Sequence, residues 1–212
     1  MSTKRHQPAS DCLQCPRLVE YRRENQSRFP DWHNGPVPSF GSLESGLLIV
    51  GLAPGLKGAN RTGRPFTGDV AGDLLYPTLI NYRLAKGIFG AEADDGLLLL
   101  NCRITNAVRC VPPQNKVTGP ETAACRPFLN NEIAAMTNLK VILALGGVAH
   151  GAILASLGEK KSAYKFAHGA RYDLPGGVIL TDSYHCSRYN TNTGRLTEKM
   201  FNEVFQAVVS HL

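Results

Sequence analysis

Four short runs rich in apolar and β-branched residues have the length and composition of β-strands. Glycine, proline or asparagine turn signals bound them, which favours strands over segments of longer helices. The runs cover residues 47–50, 103–108, 141–145 and 177–181. The third run, Val-Ile-Leu-Ala-Leu, is apolar throughout, which is typical of a strand buried on both faces.

Between and beyond these runs, apolar residues recur at helical spacing. Helices are predicted from Pro16 to before Pro30, over 73–86 with an interruption near Pro77, over 121–136 with a kink at Pro127, from Gly147 and from Thr197. Strands that alternate with helices indicate an α/β fold, in which helices cover both faces of a parallel sheet.

The segment that follows the first strand is rich in glycine. Residues 51–69 hold five glycines and two prolines in nineteen residues, whereas most connections are about 4–6 residues long. A loop that leaves the carboxyl end of a buried strand is where open α/β sheets bind their ligands. Glycines there let the backbone approach a flat or phosphate-bearing partner closely. The sequence therefore predicts a binding site in this loop.

Three such loops leave strand ends on one side of the predicted sheet, so their side chains should meet in one cleft. They start near Gly51, Asn106 and Ser183. The amide of Asn106 offers one acceptor and two donors, which can read the edge of a nucleobase or cap a turn. The ring of Phe66 could stack on a base or pack under the loop.

His185 and a polar stretch follow the last strand. An imidazole at a strand end can donate a hydrogen bond to a developing anion, although a lone histidine more often makes a structural contact. The stretch from Ser187 to Arg195 lacks apolar periodicity. Its hydroxyls, amides and arginines suit either phosphate contacts or a solvated loop.

The composition narrows the classes of function. The chain is 43% hydrophobic but has no apolar run near the roughly 20 residues that a membrane span needs. The basic amino terminus is not followed by an apolar segment, so a secretory signal is not expected. The protein is therefore expected to be cytosolic. A net charge of +6 and a pI near 9.1 favour a polyanionic partner such as a nucleic acid.

Four of the six cysteines have spacings typical of a metal or cluster site. Cys12 and Cys15 form a C-x2-C pair, and Cys110 and Cys125 form a wider pair. Thiolates suit zinc or an iron–sulfur cluster, and a cytosolic chain rarely uses disulfides. The 14 residues between the second pair favour a cluster held by separate segments over a zinc ribbon. The remaining alternative is that some of these cysteines are merely buried apolar residues.

These motifs resemble those of the family 5 (type B) uracil-DNA glycosylases of bacteria and archaea. The resemblance is carried by Gly51-Leu52-Ala53-Pro54, Asn60-Arg61-Thr62-Gly63-Arg64-Pro65-Phe66-Thr67-Gly68-Asp69, Thr105-Asn106 with Cys110-Val111-Pro112-Pro113, and Ser183-Tyr184-His185 through Gly194-Arg195-Leu196. It implies one α/β/α sandwich domain over residues 1–212, with a central parallel four-stranded sheet and an amino-terminal arm that carries Cys12 and Cys15.

The resemblance also implies a DNA-repair enzyme that flips uracil out of the duplex and hydrolyses its N-glycosidic bond. Phe66 would stack on the flipped base, Asn106 would hydrogen-bond its edge, and His185 would stabilise charge on the uracil O2. The other base-site residues are Gly51, Leu52 and Ala53.

Further implied features concern DNA, cofactor and location. The loop that enters the minor groove and fills the vacated space would contact DNA through Ser187, Arg188, Tyr189, Asn190 and Arg195. A structural [4Fe-4S] cluster would be held by Cys12, Cys15, Cys110 and Cys125. The expected substrates are DNA containing uracil and other deaminated bases, such as hypoxanthine or xanthine. The protein is expected to be a monomer in the cytoplasm, at the nucleoid.

Two departures from related glycosylase families affect the expected chemistry. Leu52 and Ala53 stand where related families place an acidic residue, so another group must position the hydrolytic water. Asn60 and Asp69 are the candidates, and Asn60 is favoured because it stands earlier in the loop. Cys186 stands where related enzymes commonly have a proline, which predicts a looser loop. The alternative to an enzyme is a non-catalytic iron–sulfur module that binds nucleic acid.

Overall fold

The structure of the protein is a computed structural model that describes residues 6–212. The strands are β1 (Leu47–Gly51), β2 (Ala85–Lys86), β3 (Leu98–Leu99), β4 (Cys102–Asn106), β5 (Val141–Leu145), β6 (Arg171–Asp173) and β7 (Ile179–Ser183). The helices are α1 (Pro16–Arg28), α2 (Ala59–Thr62), α3 (Val70–Asn81), α4 (Gly119–Ala135), α5 (Gly147–Leu157), α6 (Arg188–Asn192) and α7 (Glu198–Val209). Within this part of the chain, no helix combines the length and apolarity that crossing a bilayer requires.

The central sheet has five strands in the spatial order β4–β1–β5–β7–β6. Strands β4, β1, β5 and β7 are mutually parallel, whereas β6 pairs with β7 in the antiparallel direction. The prediction of a four-stranded parallel sheet is therefore corrected by one edge strand. The sequence of β6 is Arg171-Tyr172-Asp173, which carries no apolar run, because an edge strand need not be buried on both faces.

Helices cover both faces of the sheet, which confirms the three-layer α/β/α architecture. On one face Leu47 and Ile49 of β1 belong to a core cluster that includes residues of α3 and α7. On the other face Leu48 and Val50 belong to a cluster that includes residues of α4 and α5. All of β1 is buried, which is why its sequence reads as an unbroken apolar run.

Side-chain caps define the starts of the main helices. Thr118 accepts a hydrogen bond in the first turn of α4, and Thr197 does so at α7, as N-cap residues do. The predicted interruption at Pro77 is wrong, since α3 continues through it to Asn81. Likewise Pro127 lies inside α4 without ending it. Burial of one face of each helix offsets the single backbone hydrogen bond that a proline removes.

The register of the parallel strands aligns their carboxyl ends. Gly51 at the end of β1 lies beside Asn106 at the end of β4. Leu145 at the end of β5 lies beside Ser183 at the end of β7. The loops that follow these strands therefore start at the same edge of the sheet.

Candidate active site

Two adjoining cavities lie at this edge of the sheet. The inner cavity has a volume of about 30 Å³, and its lining includes Ala53, Gly55, Phe66, Asp69, Asn106 and His185. The outer cleft has a volume of about 520 Å³ and shares Ala53, Asp69 and His185 with the inner cavity. Residues from the loops after β1, β4 and β7 therefore meet around one site, as the strand-end rule predicts.

Gly51 lets the side chains of Asn106 and Phe66 come together at the end of β1. A Cβ atom at position 51 would lie 2.5 Å from Cζ of Phe66 and closer still to Oδ1 of Asn106, so any other residue would displace both. Asn106 is only 4% exposed, and its side chain makes no hydrogen bond within residues 6–212. Its amide is therefore available to a ligand.

Leu52 and Ala53 contribute backbone and apolar surface. The carbonyl of Leu52 accepts a hydrogen bond from the N–H of Val108 at 3.0 Å, which ties the loop after β1 to the loop after β4. Ala53 lines both cavities, whereas Leu52 lines only the outer cleft. Neither side chain can bind or activate a water, so that role falls to another group.

Phe66 is buried and faces His185. The two ring centroids are 5.8 Å apart, with planes inclined by 26°. The backbone of Phe66 has a φ of +53°, which is uncommon for any residue other than glycine and costs about 1–3 kcal/mol. Such a conformation persists only where surrounding contacts hold it, and it tends to mark a functional position.

A buried ion pair anchors the loop that carries Phe66. Arg64 donates two hydrogen bonds to the carboxylate of Asp95, at 2.7 and 2.6 Å, and both side chains are nearly inaccessible. The guanidinium also lies 5.2–5.8 Å from the ring centroids of Phe40, Tyr76 and Phe89. Hydrogen bonds from Arg64 hold the pKa of Asp95 at about 2, below its usual range. This anchor lies outside both cavities, so its role is to fix the loop.

His185 projects from the end of β7 into the site. Its Nδ1 is buried and has no hydrogen-bond partner among the described residues. Burial lowers the pKa of His185 to about 4, because the charged imidazolium loses hydration there. The ring is therefore neutral at pH 7. It carries one N–H group, which can donate a single hydrogen bond.

Asp69 lies where a carboxylate could hold a water. Its Oδ1 caps α3 by accepting from the N–H groups of Ala71 and Gly72, at 3.2 and 3.4 Å. The other oxygen, Oδ2, makes no hydrogen bond within the described chain. It lies against the loop after β1, 2.8 Å from where a Cβ of Gly55 would stand. Burial raises the pKa of Asp69, which makes the carboxylate a better proton acceptor.

Asn60 lies apart from the cavity lining, although sequence order favoured it for the water. It belongs to the short helix α2, and its Nδ2 donates to Oδ1 of Asn34 at 2.9 Å. The residue is only 1% exposed, and it lines neither the inner cavity nor the outer cleft. Of the two candidates, the structure brings Asp69 and not Asn60 to the site.

The predicted DNA-contacting residues divide into two groups. Ser187, Arg188 and Tyr189 line the outer cleft, and the Tyr189 side chain is 70% exposed. Asn190 instead donates from Nδ2 to the carbonyl of His185 at 2.8 Å. The polar stretch that was predicted as a loop contains α6. The cleft therefore brings together three of the predicted residues, while Asn190 holds the backbone of His185.

Two side chains near His185 contact other parts of the fold, one an aromatic ring and the other the hydrophobic core. The guanidinium of Arg195 lies 4.6 Å from the ring centroid of Tyr184. Cys186 is completely buried in the core cluster, and burial raises the pKa of its thiol. Cys186 thus packs as a small apolar residue at the position where the sequence predicted a looser loop.

Several residues of the outer cleft were not predicted from the sequence, among them Gly146, Val148 and Asn115. Gly146 and Val148 follow β5, and Asn115 follows the Pro-rich loop after β4. The Val148 side chain is 44% exposed, and Asn115 has a φ of +57°. The strand-end rule applied to β5 would have found the first two, because Gly146-Gly147 directly follows the clearest apolar run.

The four motif cysteines converge on one region. Cys15, Cys110 and Cys125 pack together with Leu18. Burial, and next the charge of Cys125, raise the pKa of Cys110 to about 12 and that of Cys15 to about 11. Cys12 is also close enough for its charge to affect each of the other three thiols.

Two contacts hold the amino-terminal arm and α1 in place near these cysteines. Arg22 donates to the carbonyl oxygen of Cys12 at 3.0 Å. Arg17 forms an ion pair with Glu121 at 2.7 Å, which joins α1 to α4. The predicted arm is thus tied to the folded domain at Cys12, and residues 1–5 lie outside the described residues.

The comparisons with known proteins agree with this geometry. The model of the uracil-DNA glycosylase superfamily matches residues 38–209, so the chain belongs to that superfamily. Several relatives are named type-5 uracil-DNA glycosylases. The protein from Thermus thermophilus is 48% identical over 93% of this chain and 92% of its own length. The protein from Mycobacterium tuberculosis is 42% identical over 93% of this chain and 76% of its own length.

A third type-5 relative, from Pyrobaculum aerophilum, is 38% identical over 92% of this chain and 87% of its own length. A type-4 uracil-DNA glycosylase from Sulfurisphaera tokodaii is 30% identical over 82% of this chain and 75% of its own length. The similarity is thus higher to these type-5 proteins than to the type-4 protein. The family that the motifs predicted is confirmed.

Proposed function

We propose that the protein is a DNA-repair glycosylase that removes uracil from DNA by hydrolysing the N-glycosidic bond. The observation that carries the proposal is that Phe66, Asn106, Asp69 and His185 line one cavity. An aromatic platform, an amide, a carboxylate and a neutral imidazole are the groups that excision of a flipped base requires. The names of the type-5 relatives support uracil as the base.

The flipped base lies on Phe66, with its edge towards Asn106. Stacking of a base on an aromatic ring typically contributes about 1–3 kcal/mol. The Asn106 amide can donate and accept at once, so it can pair with the adjacent carbonyl and N–H of uracil. Because Asn106 makes no side-chain hydrogen bond within the described residues, it need not break one when the base binds.

His185 stabilises the leaving base. As the N-glycosidic bond breaks, negative charge develops on the uracil, and a hydrogen bond from the neutral imidazole to O2 becomes stronger. One such donor is typically worth about 10²–10³-fold in rate. The low pKa of His185, about 4, keeps the imidazole in this form across the physiological range.

Asp69 positions the hydrolytic water through Oδ2. Its other oxygen caps α3, which fixes the direction of the carboxylate. In a largely dissociative reaction, the carboxylate orients the water and stabilises the developing positive charge on the sugar. Asp69 is preferred to Asn60 for this role because Asp69 lines the inner cavity, whereas Asn60 lies outside the lining and donates from Nδ2 to Asn34.

The outer cleft receives the DNA strand. Ser187, Arg188 and Tyr189 line it and would contact phosphates and fill the space left by the flipped base, while Asn190 and Arg195 support this segment. The net charge of +6 favours DNA binding that weakens as salt rises. We infer that the protein acts as a monomer at the nucleoid in the cytoplasm. Because Leu52 and Ala53 leave no acidic side chain directly at the end of β1, we also propose hypoxanthine and xanthine as further substrates.

A structural [4Fe-4S] cluster fits the four converging cysteines. Cys12 and Cys15 come from the arm, Cys110 from the loop after β4, and Cys125 from α4, so a cluster would join three segments. Within residues 6–212 no three ligand side chains lie close enough to hold a single ion. Four thiolates from separate segments are the ligand set of a [4Fe-4S] cluster, which is the group we propose here.

The decisive experiment uses a labelled duplex with a single uracil. After incubation with purified protein, alkali should cleave the labelled strand at the uracil position, and a duplex with thymine there should stay intact. His185→Ala should retain DNA binding and lose about 10²-fold or more in the excision rate. Binding of the uracil duplex without any alkali-sensitive site would contradict the proposal and support a non-catalytic binding module.

A further inference from the structure

Side chains outside the cavity lining hold the backbone that precedes Phe66. The hydroxyl of Tyr76, on α3, donates to the carbonyl oxygen of Pro65 at 2.6 Å. The hydroxyl of Thr67 accepts from Nε of Arg64 at 2.8 Å and lies 3.2 Å from the same Pro65 oxygen. The peptide that precedes the left-handed Phe66 is thus fixed by two hydroxyl groups.

Tyr76 is itself immobilised. The residue is fully buried, its ring stacks on Phe89 with centroids 4.5 Å apart, and the guanidinium of Arg64 lies 5.3 Å from its ring centroid. Burial raises the pKa of Tyr76, so the hydroxyl stays protonated and remains a donor. A rigid ring that presents one hydrogen bond is well suited to fix a backbone carbonyl.

The same helix meets Phe66 at a second point. Gly72 lies in the first turn of α3, where a Cβ would overlap the carbonyl oxygen of Phe66. Tyr76 follows four residues later and therefore lies on the same face of the helix. The start of α3 thus contacts the peptide before Phe66 and the carbonyl of Phe66 itself.

We propose that Tyr76 is a positioning residue for base excision, whose hydroxyl fixes the Pro65–Phe66 peptide and so sets the orientation of the Phe66 ring. The inference rests on the proposed function, in which Phe66 stacks on the flipped base. Without the hydroxyl, the Pro65 carbonyl keeps only the longer contact to Thr67. The Phe66 backbone can then relax from its left-handed conformation, and the ring turns away from the base.

The test is a double-mutant cycle that measures single-turnover excision of uracil and the Kd for DNA. Tyr76→Phe removes only the hydroxyl, and it is made in the wild-type and in the Phe66→Leu protein. In the wild-type background we expect about a 10-fold slower excision, since misplacement well below 1 Å suffices for such a loss, with an unchanged Kd for DNA. In the Phe66→Leu background the same change should alter the rate less than about twofold.

Tyr82→Phe is the matched control. The Tyr82 hydroxyl also donates to a backbone carbonyl, that of Asn202, at 2.8 Å, but at the end of α3 that lies away from Phe66. Removing the Tyr82 hydroxyl should lower the free energy of unfolding about as much as Tyr76→Phe does. It should leave the excision rate within about twofold of the wild type. The melting temperature of each variant is measured, and the assay temperature is set below all of them.

Two outcomes would overturn the inference: an unchanged rate for Tyr76→Phe, or the same loss in both backgrounds, which indicates a general structural effect. If Tyr76→Phe is insoluble, Thr67→Val probes the same carbonyl from the other side in the same cycle. Failure of the wild-type protein to release uracil would contradict the proposed function instead. Release by the wild type with an additive cycle would contradict only the role of Tyr76.

Discussion

Replacing Gly51 by alanine should uncouple excision from DNA binding. The added Cβ would stand 2.5 Å from Cζ of Phe66, whereas ordinary contacts begin near 3.4 Å. Phe66, and Asn106 by at least as much, must therefore retreat by about 1 Å. A misplacement of this size can lower the rate of a positioned reaction about 10²-fold, equivalent to about 2.7 kcal/mol.

The assay is single-turnover release of uracil at saturating enzyme, with the Kd for DNA measured on the same duplex. DNA affinity should change little, since Gly51 does not line the outer cleft. Crowding in the core should also lower the free energy of unfolding by about 1–3 kcal/mol, so the melting temperature sets the assay range.

Gly119→Ala is the control for a glycine-to-alanine change. A Cβ at position 119 would meet no atom within 4 Å, and the exposed residue lies at the start of α4. Its excision rate should match that of the wild type. If folded Gly51→Ala protein also excises uracil at the wild-type rate, Phe66 and Asn106 do not hold the base as argued.

Three further predictions concern the carboxylate, the imidazole and the cysteines. Asp69→Asn keeps a helix cap but should slow excision at least about 10²-fold, whereas Asn60→Ala should slow it much less; the reverse ranking in single-turnover rates would assign the water to Asn60. The folded state disfavours protonation of His185, so stability to urea should fall as pH drops from about 6.5 towards 4, at most about 1.4 kcal/mol per pH unit; an identical slope in His185→Asn would contradict this. Cys125→Ser should lose bound iron and visible absorption, and Cys102→Ser, a buried cysteine outside the motif, should retain both; equal iron content would argue against ligation by Cys125.

The layers of the fold follow from the hydrophobic pattern, and the exceptions have physical causes. The run 141–145 was predicted with the bounds of β5, since a strand buried on both faces must be apolar throughout. Pro77 was predicted to interrupt a helix because a local rule cannot count the tertiary contacts of its neighbours. The adjacent residues Leu75, Tyr76 and Leu79 are buried in the core, which stabilises the helix around the proline.

The residues around the site were predictable by type more than by position. Strand-end loops correctly placed Phe66, Asn106 and His185 together, because parallel register aligns carboxyl ends. The order along the loop favoured Asn60 for the water, whereas Asp69 lines the inner cavity and α2 turns Nδ2 of Asn60 towards Asn34; which of the two positions the water stays a prediction. No sequence rule predicts that a phenylalanine takes a left-handed backbone, because that conformation depends on contacts from distant residues.

The inner cavity, at about 30 Å³, has room for only one or two water molecules. A nucleobase that stacks on Phe66 with its O2 edge towards His185 is larger than that space. Entry of a nucleobase therefore requires the lining of this cavity, which includes Phe66 and His185, to open. Only a base whose edge forms hydrogen bonds with Asn106 and His185 offsets the free energy that this opening costs. The enzyme therefore discriminates between bases when they enter the cavity, before the N-glycosidic bond breaks.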